Sequence, residues 1–460
     1  MTRSFKFRPV FIGLAALLAG CGTLRTPYQT PAATLTPTWI HGQAAGPQTG
    51  AWWRRFGDPT LDALVDRVLS RDNDLAAAAV TLRRARLKAH YAVINPTISG
   101  SGGYSDSIPL RGQFPSTRTG TASLLASYEV DLFGALAAQK DVARWEARAT
   151  EQDLESTRLS LIGTTVDLYY QLAYLNQRVA MAQQSVAYGQ KTLDLVRIQA
   201  RAGAASSLEV AESVQSLASQ KASLEDLIEQ RVEARASLNL LLDGQTAAPD
   251  DELAQLPDGA LPGVDADLPA SLLGRRPDLR ASELRLRESL ASVDQSRLAF
   301  YPSLSLTGSV GGTGASLSNL LQNPVGTLGA NIALPFLQYD QLRLNVGVSR
   351  ASYDGAVIQF RQTLYKALTD VDNALSARDR LAAEAADLEE SLTNARTVER
   401  LDEVRYRAGA TPLKTWIDAQ ETRRQAEVAL AQNRFNRYQN YVTLCTALGG
   451  DPARAPGQDR

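Results

Sequence analysis

The sequence predicts a mainly α-helical protein with a small β part, written as two repeats of one unit. Three observations predict it. Hydrophobic residues make up 44% of the chain and aromatics only 7%, with alanine supplying much of the apolar count, a balance that suits close-packed helices better than a thick globular core. Long stretches with little glycine and no proline alternate with short segments of apolar and small polar residues. Landmarks also recur at one offset: Pro96 and Pro302 (302 − 96 = 206), Gly203 and Gly409 (409 − 203 = 206), and Leu242-Asp243-Gly244 with Leu448-Gly449-Gly450. A period of that length marks duplication of a whole unit, since solenoid repeats are far shorter.

The first element is an export signal. Arg3, Lys6 and Arg8 precede an apolar run from Val10 to Leu18, too short for a spanning helix, which needs roughly 20 residues. Residues 1–20 therefore read as a signal peptide. The quartet Leu18-Ala19-Gly20-Cys21 resembles a lipobox, the bacterial lipoprotein cleavage site, which implies diacylation of the Cys21 thiol and a new N-terminus there. Gly22 stands where an aspartate would favour inner-membrane retention, so the expected destination is the outer membrane. Residues 21–60 form the lipidated tail. Cys445 is then the remaining cysteine, which leaves no pair for an internal disulfide in an exported chain; its setting, Val442-Thr443-Leu444, marks it as a small buried apolar residue.

The first repeat takes residues 61–250. Its helix from Leu75 to Val93 is broken at Pro96, and two strands follow, Thr97 to Asp106 and Thr119 to Val130, joined by a loop from Ile108 to Arg118. A long helix, about Leu136 to Gln199, carries Leu168, Leu172, Leu175, Val179, Val186 and Leu193 at coiled-coil spacing. Some 60 residues would extend on the order of 90 Å. Arg201-Ala202-Gly203-Ala204 interrupts it, and Leu208 to Leu242 returns. A segment rich in Pro, Asp and Gly, 251–276, reads as an equatorial insertion. The second repeat, 277–450, restarts at Arg275-Arg276-Pro277-Asp278 with Pro277 in a first turn, and repeats the plan: helix Leu279 to Phe300, strands from Pro302 to Val310 and Gly329 to Leu334, loop Gly311 to Asn323, helices Ala351 to Arg405 and Leu413 to Leu448. Residues 451–460 are a tail.

Strands of nine to twelve residues suit a tilted crossing of an outer membrane. Four of them cannot close a barrel, and open edges are not tolerated in lipid. The chain must oligomerise, with eight, twelve or sixteen strands all open on this argument. Other functions are disfavoured: a net charge of −1 gives no field for nucleic acid, and His41 and His90 have neither metal-ligand spacing nor a nucleophile beside them. No metal site and no cofactor beyond the lipid on Cys21 is expected, and the chain does not read as an enzyme.

Tyr128-Glu129-Val130-Asp131-Leu132-Phe133-Gly134, Arg275-Arg276-Pro277-Asp278, Ala299-Phe300-Tyr301-Pro302-Ser303-Leu304-Ser305-Leu306-Thr307-Gly308, Arg405-Tyr406-Arg407-Ala408-Gly409 and Ala447-Leu448-Gly449-Gly450 together resemble the TolC-like outer membrane factors, in the lipoprotein branch serving resistance-nodulation-division efflux pumps. The resemblance covers nearly the whole mature chain. It implies a homotrimer with a 12-stranded barrel in outer membrane lipid, four strands per chain, continuing into a periplasmic helical coiled-coil barrel with a gated tip. It further implies export of small molecules received from a periplasmic adaptor (a membrane fusion protein) and an inner membrane transporter. Gly203, Ala204, Ser206, Leu208, Gly409, Ala410, Thr411 and Leu413 would meet the adaptor, although Leu413-Lys414-Thr415-Trp416 departs from the family's acidic-then-apolar pattern. The family's tunnel-constricting acidic residues, placed nearer the tip interior, match the stretch Leu368 to Leu375, where Asn373 stands at a frequent aspartate position and Asp370 and Asp372 would carry the ring instead. A type I protein secretion duct shares this fold, and a non-channel periplasmic coiled-coil lipoprotein is the alternative outside it.

Overall fold

The computed structural model describes residues 25–32, 38–40, 51–111, 115–246, 251–264, 269, 272–316, 319, 322 and 324–450. The signal peptide, Cys21 and the 451–460 tail lie outside the described residues. After a 3-10 turn at Trp52–Phe56 come α1 (Pro59–Arg71), α2 (Asn73–Tyr91), β1 (Thr97–Ser107), β2 (Thr117–Val130), α3 (Ala135–Arg201) and α4 (Ser207–Leu241). There follow α5 (Leu272–Arg275), α6 (Pro277–Leu298), β3 (Ser303–Gly314), β4 (Val325–Ala333), a 3-10 turn at Pro335–Gln338, α7 (Tyr339–Arg407) and α8 (Leu413–Ala447).

The 206-residue offset is kept in the fold. Adding it to α4, Ser207–Leu241, gives the bounds of α8, Leu413–Ala447. It also carries the first hairpin's register, Thr97↔Ser127, onto that of the second, Ser303↔Ala333. Three boundaries differ from expectation by four residues or more, among them that of β4, which begins at Val325 instead of Gly329. Helix α7 begins at Tyr339 instead of Ala351, because Gly347 is carried inside a long helix, where extending an existing helix by a residue costs far less than starting one. Strand β3 runs on to Gly314 because Gly311, Gly312 and Thr313 pair with Ser123, Ala122 and Thr121 of β2, so the expected loop starts later.

Two compact units divide the chain. One holds residues 25–32, Thr81–Glu151 and Ala281–Gln362, and with them the antiparallel sheet in the order β1-β2-β3-β4. The edges, β1 and β4, have no further strand neighbour among the described residues.

The other unit is helical. Its core takes the predicted seam: Leu172, Leu175, Val179 and Leu193 of α3 are buried, as are Leu364, Val371 and Leu375 of α7. Trp52, Trp53, Tyr169, Tyr170, Tyr438 and Tyr441 add an aromatic cluster, in which the Tyr169 hydroxyl donates to Asp58 at 2.6 Å while Asp58 caps α1. The segment 251–264 is docked specifically: Arg235 grips Glu252 with two bonds of 2.7 and 2.8 Å, and Leu256 is fully buried. Cys445 is buried as expected, and burial pushes its thiol up to about 12.

Candidate functional site

Register sorts the sheet's residues into two faces, because antiparallel partners project to the same side. Ile98 faces Ala126, Leu124 faces Val310, Tyr128 faces Leu306, and Leu304 faces Ile332, all on one side. The opposite side carries Ser101 opposite Ser123, Ser127 opposite Thr307, and Ser309 opposite Thr327. In a soluble sheet the apolar face would be covered. Here it is bare: Ile98 is 71% exposed, Val310 58% and Leu328 93%. At the helix-proximal ends of the strands Phe133 stacks on Tyr301 with centroids 4.8 Å apart, and Phe300 meets Tyr339 edge-on at 5.9 Å.

The second candidate surface is the pair of turns joining α3 to α4 and α7 to α8. Both are Schellman turns: Ala204 donates to the Gln199 carbonyl and Ala410 to that of Arg405, each at 2.8 Å, with Gly203 at φ 76 and Gly409 at φ 70. Gly203, Ala204, Leu208, Gly409 and Ala410 are exposed. Ser206 caps α4 in a capping box with Glu209, whereas its counterpart, Pro412, caps α8 without a side-chain bond. Thr411 is half-buried and Leu413 fully buried, so Leu413 faces inward, not toward a partner. It packs with Val196, Tyr406 and Trp416; Tyr406 stacks on Trp416 at 5.4 Å and its hydroxyl donates to Gln199 at 2.6 Å. The departure at Leu413–Trp416 thus builds a small core tying the two turns together, a role that spacing alone did not signal.

Asp370, Asp372 and Asn373 do not lie beside the turns. Asp370 precedes the end of α7 at Arg407 by 37 residues (407 − 370), about 55 Å of helix. Asp370 and Asp372 also leave α7 on different faces. Asp370 lies 3.7 Å from the Arg276 guanidinium, and the Asp372 carboxylate accepts the Ile40 N–H at 3.1 Å. These residues, expected to constrict the tunnel, therefore stand on α7 well away from both turns. Asp370 and Asn373 line a cleft of about 620 Å³ with Asp167, Arg276, Asp278 and Asn440. Burial pushes the Asp167 carboxyl up to about 7.

An exposed apolar sheet face backed by a hydroxyl-rich one, on a chain with long paired helices and two twin turns, is the arrangement the family comparison matches. The model of the outer membrane efflux protein family matches residues 64–244 and again 268–450. The chain belongs to the outer membrane efflux protein family. The double match falls on the two halves that share the 206-residue offset. Among relatives, the pyoverdine export outer membrane protein OpmQ of Pseudomonas aeruginosa is 31% identical over 95% of this chain and 96% of its own length. The toxin and drug export protein A of Aggregatibacter actinomycetemcomitans is 28% identical over 87% and 88%. Among solved structures, the open-state MtrE outer membrane channel of Neisseria gonorrhoeae superposes with a TM-score of 0.80 at 25% identity, covering 93% of this chain and 98% of that one. The outer-membrane channel OprN gives 0.79 at 26%, covering 94% and 100%. Within this outer membrane efflux protein the sheet face and the twin turns are the surfaces with work to explain.

Proposed function

We propose that this chain is the outer membrane exit duct of a tripartite efflux pump, passing small molecules such as drugs or toxic compounds from the periplasm and an inner membrane transporter to the outside. The observation that carries the reading is the two-faced sheet. An apolar face in lipid and a hydroxyl-rich face toward water is what a membrane barrel wall requires, and the paired aromatics at the strand ends suit the headgroup level. Toxin and drug export by one relative and pyoverdine export by another support small-molecule cargo.

The open edges of β1 and β4 call for other copies of the chain. Beside β1, α2 leaves Leu87 and Tyr91 exposed; beyond β4, α7 leaves Leu344, Val348 and Ile358 exposed. Those stripes fit a head-to-tail ring, which at three copies gives a 12-stranded barrel over a coiled-coil helical barrel, with the halves arisen by duplication. Cys21 carries the lipid anchor in the outer membrane. The twin turns form the periplasmic tip, where Gly203, Ala204, Ser206, Leu208, Gly409, Ala410 and Thr411 meet an adaptor coupled to a resistance-nodulation-division transporter.

Two measurements test this. Purified oligomer is added to planar bilayers, and a strain lacking the gene is scored for dye accumulation and growth across antibiotics, detergents and solvents. Stepwise conductance with hypersensitivity rescued by the gene is the expected result. Absence of conductance from well-folded oligomer would sink the duct and leave a helical tether.

A further inference from the structure

The N-terminal strap is gripped at one residue. The Thr26 backbone N–H donates to Asp294 Oδ2 at 2.7 Å and its hydroxyl donates to Asp294 Oδ1 at 2.6 Å. Arg297 Nη1 donates to the same hydroxyl oxygen at 2.9 Å and lies 3.5 Å from the carboxylate. Asp294 is only 4% exposed. A buried carboxylate that spends both oxygens on one residue is a strong selector, since leaving it unbonded is costly.

The selection is for register. Slipping the strap by one residue would offer either Pro27, which has no N–H, or Arg25, which has no hydroxyl and is itself paired with Asp141 at 2.8 Å. Two residues further on, the Tyr28 ring lies 4.3 Å from the Arg287 guanidinium. Thr26 at Asp294 and Tyr28 at Arg287 make the strap run antiparallel to α6. Arg25 therefore lies on the side of Thr26 toward the end of α6 that leads into β3.

We propose that Asp294 and Arg297 form a register clasp for the N-terminal strap, gripping Thr26 and so limiting how far Cys21 can reach. The consequence for a lipid anchor rests on the reading of Cys21 as acylated. Cys21 lies four steps along the chain before Arg25, so its Cα can be no more than roughly 14 Å from that of Arg25 even at full extension. An acyl chain so tethered would enter lipid within that reach of Arg25, and the clasp, not the tail, would set its depth.

Hydrogen exchange of the Thr26 amide and trypsin cutting after Arg25 are measured on the full-length protein, with far-UV dichroism and oligomer stability as folding controls. Wild type and Thr26→Ser are expected to be protected. Thr26→Val and Asp294→Ala should exchange and be cut at least about tenfold faster, the order expected from losing a charge-assisted bond. Equal rates in wild type and Asp294→Ala would overturn the clasp. Cys21→Ser separates the two readings: with no acyl group by mass, it should retain strap protection, and loss of that protection would make the lipid, not Asp294, the fastener. For depth, deleting Thr23 and Leu24 should lower outer membrane oligomer when Asp294 is present, and Asp294→Ala should restore it. A deletion equally harmful in both backgrounds would overturn the depth assignment.

Discussion

Arg276 closes the start of α6 onto the end of α8: its Nη1 donates to the Ala447 carbonyl at 3.1 Å. The same guanidinium donates through Nε and Nη2 to Asp278 at 3.0 and 2.7 Å. Burial pushes the Asp278 carboxyl up, but the bonds and charge of Arg276 outweigh it and hold the group below the usual carboxylate range. Lysine cannot reproduce a fork that meets a carboxylate and a carbonyl together. Arg276→Lys is expected to cost about 2 kcal/mol in denaturant unfolding. A carboxyl with a depressed folded pKa contributes its stability above the unfolded value of about 4 and loses it as pH falls through the folded one. The gap between wild type and variant should therefore be full at pH 7 and shrink in acid. A gap independent of pH would remove Asp278 from the account.

Gly409 and Gly449 predict opposite outcomes for one kind of change. Both have left-handed backbone, φ 70 and φ 90. At Gly409 a Cβ would meet nothing within 4 Å, whereas at Gly449 it would lie 2.9 Å from the Arg275 backbone. Gly409→Asp should cost only about 1 kcal/mol of strain and leave the folded oligomer, while abolishing export because a charge is set into the turn proposed to meet the adaptor. Gly449→Ala should prevent the stable oligomer from accumulating at all. Normal export by Gly409→Asp would remove the turns from the partner surface.

Asp167 predicts stability that falls with rising pH. Burial raises its carboxyl to about 7, and its Oδ1 has no hydrogen-bond partner. The folded state then binds a proton between about pH 4 and 7 that the unfolded state has released, so stability drops across that window. Asp167→Asn removes the cost of burying the charge. Its melting temperature should exceed that of wild type at pH 8 and approach it at pH 5, read by thermal unfolding at both values. A constant difference would show that the carboxyl is already neutral or freely solvated.

At the turns, Trp416 predicts a local defect. It is 2% exposed, stacks on Tyr406 and meets Tyr188 edge-on at 6.4 Å. Trp416→Ala should cost about 3 kcal/mol or more, and hydrogen exchange should quicken in both turns together, because the cluster joins α3, α7 and α8. Quickening confined to the α7–α8 turn would mean the two turns are held separately.

Sequence showed the parts whose pattern is local. Alternation in Ser303–Val310, the breaks at Pro96 and Pro302, and the glycines at 203 and 409 each dictate backbone at their own position, so strands, helices and turns were legible. What depends on which helix faces which was not. Asp370 and Asp372 look alike in sequence, yet one sits by Arg276 and the other accepts from Ile40, because two residues along a helix point to different sides. Leu413 and Trp416 read as a departure from a contact motif, and only the packing of Tyr406 and Val196 shows them to be core. Asp294 gave no signal at all, since its partner lies 268 residues away.

The sheet's two faces yield the prediction that bears most directly on the membrane assignment. Leu328 and Ser309 are neighbours across β3 and β4, with Leu328 opposite Gly308 and Ser309 opposite Thr327, but they project to opposite sides. An arginine on the lipid side of a barrel costs about 2–4 kcal/mol near mid-membrane, while the water-filled side tolerates charge. Leu328→Arg should therefore reduce the heat-resistant outer membrane oligomer several-fold, and Ser309→Arg should leave its amount unchanged while lowering cation conductance. If both variants assemble equally, the apolar face is not in lipid. If Ser309→Arg alone fails, the faces are inverted, and the hydroxyl-rich side rather than Leu328 must be buried against something.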